Sequence, residues 1–257
     1  LPISYEATQM QRRLEREIRK QKRRKKALEA YGLSDDKKAA NARLIRLNKK
    51  YREFSKAAGL PEQPERVKVS YVDDKSLAEA EKIKSQREER IALEVKADED
   101  TLSYLGADAR DNLTDIVKRR TIKLENGFSC FPDDDPLTEN VKKVKPLKSY
   151  YDVAMHGSPT EVAFGSKKAN MSPRLLASII RHSKGWNGQN IRLISCSTGK
   201  RIEDDYCFAE ELANALGVKV KAPNDVLYVT CRGEMYVGDF GDGVFVTYTP
   251  NERRRIR

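Results

Sequence analysis

The first 60 residues place apolar side chains at helical spacing among many charged ones. Residues 6–31 contain neither Pro nor Gly and predict a first helix, which Gly32 closes. Residues 35–58 predict a second helix, because their apolar positions alternate in steps of four and three and form an a/d seam of the coiled-coil type. We therefore expect residues 1–60 to form a basic helical hairpin or a pair of helical arms. The seam consists of Ala40, Leu44, Leu47, Tyr51, Phe54 and Ala58.

Residues 61–146 combine several patterns and predict a helical linker region. A third helix is expected over 75–97 and a short one around 107–118. The segment 119–131 has a strand-like pattern. Residues 132–146, which begin and end with Pro, predict a loop.

From residue 147 onward, short apolar runs alternate with helical patterns, which is typical of an α/β domain over 147–257. A strand over 150–155, a helix over 173–183 and a strand over 191–195 form a β-α-β unit, so the two strands should be parallel neighbours. The fold class predicted for the whole chain is therefore α+β. The helical hairpin should be followed by a mostly parallel sheet with flanking helices.

Two reactive side chains follow the ends of those two strands. His156 comes directly after the first strand and Cys196 after the second. Ligands of an open α/β sheet bind beyond the carboxyl ends of its strands, so the topology should bring imidazole and thiol to one edge. The pair suits a thiol nucleophile with an imidazole base, and the N–H groups of Gly157 and Cys196 would face a developing oxyanion. Asp152, four residues before His156 on the same side of the strand, is a candidate for orienting the imidazole.

Residues around Cys196 are candidates for bordering a substrate cleft, because loops commonly carry specificity. The other thiols have simpler interpretations. Cys207 opens a predicted helix, and Cys231 falls inside a strand pattern and is predicted to be a core residue. The cleft candidates are Ser195, Ser197, Thr198, Asp204 and Asp205.

The strand ending in His156-Gly157 and the strand ending in Ser195-Cys196 together resemble caspase/gingipain-type cysteine peptidases, most nearly the autoprocessing domains of large bacterial toxins. The resemblance covers about residues 148–250. It implies a caspase-like fold with His156 as base, Cys196 as nucleophile, and the N–H groups of Gly157 and Cys196 as oxyanion donors. The sequence departs from the family in its Ser-Cys-Ser-Thr-Gly, where Gly-Cys or Ala-Cys is commonest. It also lacks the Gln-Ala-Cys of caspases, so caspase specificity is not transferred.

Charge is unevenly distributed along the chain. The 257 residues carry a net charge of +11, and residues 1–60 hold 18 basic and 7 acidic side chains. A basic run in the first helix would attract phosphates regardless of base sequence. Alternatively, it is the solvated face of a helix that assembles with other proteins. The run, a candidate for nucleic-acid binding, consists of Arg19, Lys20, Lys22, Arg23, Arg24, Lys25 and Lys26.

The N-terminal segment resembles phage minor capsid protein 2, a head component of tailed phages and prophages. The similarity covers roughly residues 1–65. It rests on Tyr-Glu-Ala-Thr-Gln at residues 5–9, on the basic run, and on Arg-Glu-Phe at 52–54 followed by Gly59-Leu60. The resemblance implies a structural role in the virion near the portal. Portal and capsid proteins would be its partners, with DNA as a further partner of the basic helix.

Several classes of protein are disfavoured by the composition. No apolar run approaches the roughly 20 residues of a membrane span, and we expect no secretion signal. The four cysteines and two histidines lack metal-ligand spacing, so we expect neither a metal site nor a cofactor. Because the sequence begins at Leu1 rather than Met, we expect it to be a fragment of a longer protein.

Two functions account for these features. The first is a phage or prophage head protein, found in the virion or the host bacterial cytoplasm. Its C-terminal domain would be a cysteine-peptidase-like effector or toxin that attacks a peptide or protein substrate through Cys196 and His156. The second is a purely structural virion protein whose α/β domain docks on portal, scaffold or DNA without catalysis.

Overall fold

A computed structural model describes residues 5–106, 113–165, 169–202 and 206–251. The chain forms two compact units, Leu1–Arg90 and Ile91–Arg257. The boundary between them falls inside one helix, α3 (Asp74–Leu105). No helix among the described residues is both long and apolar enough to span a membrane.

The first unit is built on an antiparallel hairpin of two helices. Helix α1 (Tyr5–Ala30) and helix α2 (Ser34–Ala57) confirm the two predicted helices. Gly32 lies between them with φ +71°, a left-handed conformation that glycine adopts without steric cost. A segment with one short 3₁₀ turn, Pro64–Arg66, leads from α2 towards α3.

Two small apolar clusters hold the first unit together. One packs the open end of the hairpin against Val67 of the connecting segment. The other packs the turn end of the hairpin against α3 through Ala80 and Ile83. Charged side chains surround both clusters, which agrees with the low apolar content of this part of the sequence. The hairpin residues in the clusters are Leu14, Ile18, Ala27, Leu28, Leu33, Ala40, Leu44 and Tyr51.

The second unit contains a six-stranded mixed sheet in the order β1-β2-β3-β6-β7-β10. Its four central strands, β2, β3, β6 and β7, are parallel, and the edge strands are antiparallel. Helices flank this sheet, which confirms the predicted α+β fold class. The strands are β1 (Ile122–Leu124), β2 (Gly127–Ser129), β3 (Tyr150–Ala154), β6 (Asn190–Ile194), β7 (Val220–Pro223) and β10 (Phe245–Tyr248).

The remaining elements of the second unit are short. Two small hairpins are formed by β4 (Val162–Ala163) with β5 (Asn170–Met171) and by β8 (Leu227–Val229) with β9 (Met235–Val237). The prediction of a linker over 61–146 is wrong in one respect, because β1 and β2 from that region belong to the main sheet. The helices are α4 (Leu113–Arg120), α5 (Leu137–Val141), α6 (Pro173–Arg181) and α7 (Phe208–Leu216).

Different layers cover the two faces of the sheet. Alternate strand residues such as Val153 and Leu193 pack with residues of α6 and α7 on the first face. Their neighbours Ala154 and Ile194 pack with the β8–β9 hairpin and α5 on the second face. A strand buried on both faces lacks polar alternation, which explains the continuous apolar runs in the sequence.

Helix α6 connects β3 to β6 in the predicted β-α-β unit. The Ser172 hydroxyl caps this helix by accepting hydrogen bonds from the N–H groups of Arg174 and Leu175, and Pro173 occupies the first helical position. Its apolar side packs onto the first face of the sheet. The crossover therefore delivers β6 next to β3 and parallel to it.

Candidate functional site

Strands β3 and β6 end together at one edge of the sheet. Ala154 pairs with Ile194 at the last position of the parallel ladder, and the Met155 N–H donates to the Ile194 carbonyl at 3.2 Å. His156 and Cys196 each lie two residues beyond this pair. The ladder ends at that pair, so both residues lie just beyond the paired strand ends, His156 in the loop after β3 and Cys196 in the turn after β6.

The imidazole and the thiol lie on the same face of the sheet. The His156 ring stands edge-on to Phe131, with ring centroids 4.7 Å apart, and Phe131 belongs to the cluster on the second face. Cys196 packs against that same cluster. Both side chains are half-buried, so the edge is open to solvent in part.

The carboxylate that contacts the imidazole is Asp135. His156 Nε2 lies 2.6 Å from Asp135 Oδ2, and this aspartate is largely buried. The hydrogen bond occupies Nε2 and leaves Nδ1 as the other nitrogen able to accept a proton. Asp135 Oδ1 accepts from the Leu137 N–H at 2.8 Å, which fixes the carboxylate at the start of α5.

The assignment of an orienting role to Asp152 is not supported by its contacts. Both of its carboxylate oxygens accept hydrogen bonds from Arg192, from Nε and from a terminal guanidinium nitrogen, each at 2.7 Å. Burial raises the pKa of Asp152, and the bonds from Arg192 oppose this effect. Arg192 therefore engages the Asp152 carboxylate, four residues before His156 in the chain.

The thiol of Cys196 contacts the backbone of the β8–β9 hairpin. The Leu227 N–H donates to Cys196 Sγ at 3.4 Å, and Sγ lies 3.7 Å from the Leu227 carbonyl oxygen. Within the described part of the chain, Cys196 and His156 make no hydrogen bond to each other. Strand pairing thus brings the two groups to one edge, where each has its own partner.

Gly157 lies directly against the turn that carries Cys196. A Cβ atom at this position would be 2.1 Å from Ser195 Oγ and 3.1 Å from the Cys196 carbonyl oxygen. The N–H groups of Gly157 and Cys196 donate no hydrogen bond to any residue in the described ranges. Two free donors beside a thiol are the arrangement that an oxyanion requires.

The five residues predicted to border a substrate cleft differ in burial and in their contacts. Thr198 is fully buried and its hydroxyl donates to the Ser195 carbonyl, so its assignment to the cleft is wrong. Ser195 is also buried, and its hydroxyl has no partner among the described residues. Ser197 is half-buried with φ +57°, and its N–H donates to the Asp225 carbonyl at 2.9 Å. Asp204 and Asp205 lie outside the described residues.

Sequence reasoning missed Asp135 and Leu227. Asp135 stands 21 residues before His156, in a loop whose three consecutive aspartates gave no sign of which one would turn inward. Its position just before α5, where acidic residues are favoured, is the sequence feature that distinguishes Asp135 from the other two aspartates. Leu227 acts through its backbone, which leaves no signal in the sequence.

The remaining thiols differ strongly in exposure. Cys130 and Cys207 are buried, and burial raises the pKa of the Cys130 thiol. Cys231 is exposed in the turn after β8, so its prediction as a core residue is wrong. No cluster of three or more metal-ligating side chains occurs in the ranges that the structure describes.

The basic run of α1 is largely engaged within the first unit. Lys22 Nζ donates to the Val67 carbonyl at 2.5 Å, and Lys25 Nζ donates to Asn41 at 2.8 Å. Arg19, Arg23 and Arg24 form ion pairs with Glu15, Asp73 and Glu79, and Lys26 approaches the Val69 carbonyl at 3.4 Å. Of the seven predicted residues, Lys20 alone is exposed without such a contact among the described residues. Most of the run is therefore engaged in contacts within the first unit, and its binding of phosphate stays a prediction.

Two family models match parts of the chain. Residues 2–56 match phage minor capsid protein 2, which supports the N-terminus of a phage structural protein. Residues 127–237 match a domain of unknown function, DUF8616. This second stretch begins at the first residue of β2 and ends at the last residue of β9, so it includes Asp135, His156, Cys196 and Leu227. No curated protein and no solved structure gives a significant match.

Proposed function

We propose that the chain is a minor capsid protein of a phage or prophage whose C-terminal unit is a cysteine-peptidase-like effector. The match of residues 2–56 supports the capsid part. The peptidase part is carried by one observation. His156 and Cys196 each follow the paired ends of β3 and β6 by two residues, both pack beside the second-face cluster, and Asp135 contacts the imidazole. Portal and capsid proteins are the proposed partners of the helical unit, in the virion or in the host cytoplasm.

The chemistry would proceed by attack of Cys196 Sγ on a peptide carbonyl carbon. Nδ1 of His156 takes the thiol proton while the carbonyl oxygen becomes negatively charged beside the N–H groups of Gly157 and Cys196. The C–N bond then breaks, and the leaving amine takes the proton from His156, which leaves a thioester on Cys196. Water attacks this thioester through the same base, and the acid product and the free thiol are regenerated.

The first test measures the reactivity of the thiol and needs no knowledge of the substrate. A Cys231→Ser background removes the exposed competing thiol. We expect iodoacetamide to modify Cys196 near neutral pH, and His156→Ala to slow this modification about tenfold or more, because the imidazole promotes thiolate formation. Peptide mass mapping of the full chain gives the rate at each cysteine. Equal rates with and without His156 would contradict the dyad.

The second test measures cleavage directly. Cleavage of the chain itself and of a labelled casein mixture should fall about a thousandfold or more in Cys196→Ala. The full chain is required, because a fragment starting near residue 140 would lack β2 and Asp135. Unchanged cleavage in Cys196→Ala would contradict peptidase action by this residue.

The alternative function is a purely structural virion protein whose α/β unit docks on portal, scaffold or DNA. It is favoured by the contacts of the thiol, which are with Leu227 and not with His156. In that case Cys196 acts as a small packing residue of the second-face cluster. The expected signature is full retention of particle assembly in Cys196→Ala together with slow alkylation of Cys196.

A further inference from the structure

A cavity of about 470 Å³ lies in the second unit at the amino ends of β2 and β3. His156 and Cys196 lie at the opposite ends of the strands. The walls of the cavity come from α4, from the β1–β2 hairpin and from the segment that follows α6. Pockets that bind small molecules have volumes of about 300–1,000 Å³, so this cavity has the size of a ligand site.

The floor of the cavity is apolar. Val117 of α4, Phe128 of β2 and Tyr151 of β3 line it, and all three are buried in the cluster on the first face of the sheet. The Tyr151 hydroxyl is hydrogen-bonded to Ser183 Oγ at 2.5 Å, so the polar group of this floor is satisfied within the protein. The floor therefore offers apolar contact and no charge to a ligand.

The rim of the cavity is cationic. Lys118, Lys123 and Lys184 line it and are exposed, and none of their side chains has a hydrogen-bond or ion-pair partner in the described part of the chain. Lys123 is the cross-strand partner of Phe128, so its side chain stands on the same face of the sheet as the floor. Glu125 is the acidic residue of the lining, so three lysines against one glutamate leave a charge of +2.

The segment after α6 adds backbone donors to the same wall. The N–H groups of Lys184 and Gly185 donate no hydrogen bond to any residue within the described ranges. Both residues line the cavity. Successive backbone N–H groups in a turn form a concavity that binds anions, and here the Lys184 side chain adds a full positive charge to it.

The charge and the apolar floor together select a class of ligand. A phosphomonoester carries about −1.5 to −2 charges at neutral pH, which matches the +2 of the lining better than the single charge of a carboxylate does. Lysine ammonium groups and free backbone N–H groups both form charge-assisted hydrogen bonds to phosphate oxygens. The floor, with its two aromatic rings, suits a ring attached to that phosphate.

We propose that this cavity binds a small phosphomonoester that carries an aromatic ring, of which a nucleoside monophosphate is one example. The phosphate lies at Lys118, Lys123 and Lys184, and the ring lies against Phe128 and Tyr151. The proposal does not depend on the peptidase function or on the capsid function, because none of these five residues takes part in either.

The first test titrates the full chain with adenosine monophosphate and with 4-nitrophenyl phosphate by isothermal titration calorimetry. We expect at least one of them to bind with a Kd below about 1 mM. Adenosine and inorganic phosphate should each bind at least about tenfold more weakly than adenosine monophosphate, because each meets only the floor or only the lysines. Absence of binding by both esters would overturn the proposal. Equal binding of adenosine, or of phosphate as an adventitious ion only, would overturn the ligand class.

A matched pair of variants separates the rim lysines from net charge. Lys118→Gln combined with Lys184→Gln should weaken binding of the ester at least about tenfold and leave binding of adenosine unchanged. Lys148→Gln combined with Lys200→Gln removes the same charge from exposed positions of the same unit that do not line the cavity. This control should bind within about twofold of the parent chain. Equal weakening by the two pairs would contradict a site at the rim.

A third variant fills the cavity without changing its charge. Thr114 of α4 is half-buried and lines the cavity, so Thr114→Trp should place a large side chain in the ligand space. We expect it to weaken binding of both esters at least about tenfold. Thr114→Met occupies less space and replaces it if the tryptophan variant has a lowered thermal midpoint. Unchanged binding in the folded variant would exclude this cavity as the site.

Discussion

Two pairs of residues, one within β3 and β6 and one just beyond their ends, lie four positions apart along the chain, and they differ in what they bind. Asp152 and Arg192 are nearly completely buried, at 3% and 7% exposure, and satisfy each other through two hydrogen bonds of 2.7 Å. His156 and Cys196 follow four residues later, beyond the paired strand ends at the half-buried edge, and each binds a group from another segment. Strand pairing thus produces a closed ion pair inside the sheet, and the segments that follow the two strands carry the reactive groups at its edge.

The comparison indicates which part of this face serves stability and which serves chemistry. A buried ion pair that satisfies itself offers nothing to a ligand, whereas a half-buried edge with unpaired donors does. Among the described residues, the N–H groups of Gly157 and Cys196 and the Ser195 hydroxyl have no partner, and all three lie next to His156 or Cys196 in the chain. Three variants test this division, one for each kind of contact.

Arg192→Met should have the largest effect, a loss of about 3–5 kcal/mol in the free energy of unfolding. The Asp152 carboxylate would remain buried without its counter-ion. Because burial raises the pKa of Asp152 in the folded state, the folded chain binds this proton more tightly than the unfolded chain. The loss should therefore grow as pH rises from about 4, the unfolded pKa of Asp, towards neutrality.

Urea unfolding at pH 5 and pH 7 measures both the loss and its pH dependence. The double variant Asp152→Asn, Arg192→Met serves as control, because it removes both charges and should lose less than the single variant. Equal losses in the single and double variants would show that packing, and not the buried charge, dominates at this position.

Asp135→Asn should have an intermediate effect, seen in catalysis more than in folding. Asparagine keeps an acceptor for the Leu137 N–H but carries no charge beside His156. We expect kcat on the casein mixture to fall about 10–100-fold with little change in KM, and stability to change by less than about 1 kcal/mol. A change confined to stability would assign Asp135 to loop structure alone.

Ser195→Ala should have the smallest effect on stability, a gain of up to about 1 kcal/mol. Its buried hydroxyl has no partner in the described ranges, so removal eliminates an unsatisfied group. The urea midpoint at constant slope measures this gain. A loss above about 1 kcal/mol would indicate that the hydroxyl is hydrogen-bonded in solution.

The elements that sequence patterns predicted well are those with local causes. Gly32 ends one helix, Ser172 and Pro173 begin another, and the alternation of short apolar runs locates β3 and β6. Their carboxyl ends could therefore be assigned to one edge before the structure was known. The shortest strands of the main sheet, β1 and β2, have three residues each and were recognised only as a strand-like segment outside the sheet.

The contacts that sequence patterns failed to predict depend on distant segments. Asp135 reaches His156 because β2 lies beside β3, and a run of three aspartates does not distinguish its members. Lys22 donates a hydrogen bond to the Val67 carbonyl, and the periodicity of α1 does not predict this contact. Charge density along the sequence was therefore a poor guide to charge available on the surface.

Gly157 limits how this edge can change during evolution. A methyl group there would meet the Ser195 hydroxyl oxygen at 2.1 Å and the Cys196 carbonyl oxygen at 3.1 Å, so even alanine requires the Ser195 side chain to turn away within a tightly packed site. A change at position 157 should therefore be accompanied by a change at Ser195 or in its side-chain conformation. Homologues that keep this geometry should keep glycine at this position, and those that have replaced it should also have lost the close approach of the two strand ends.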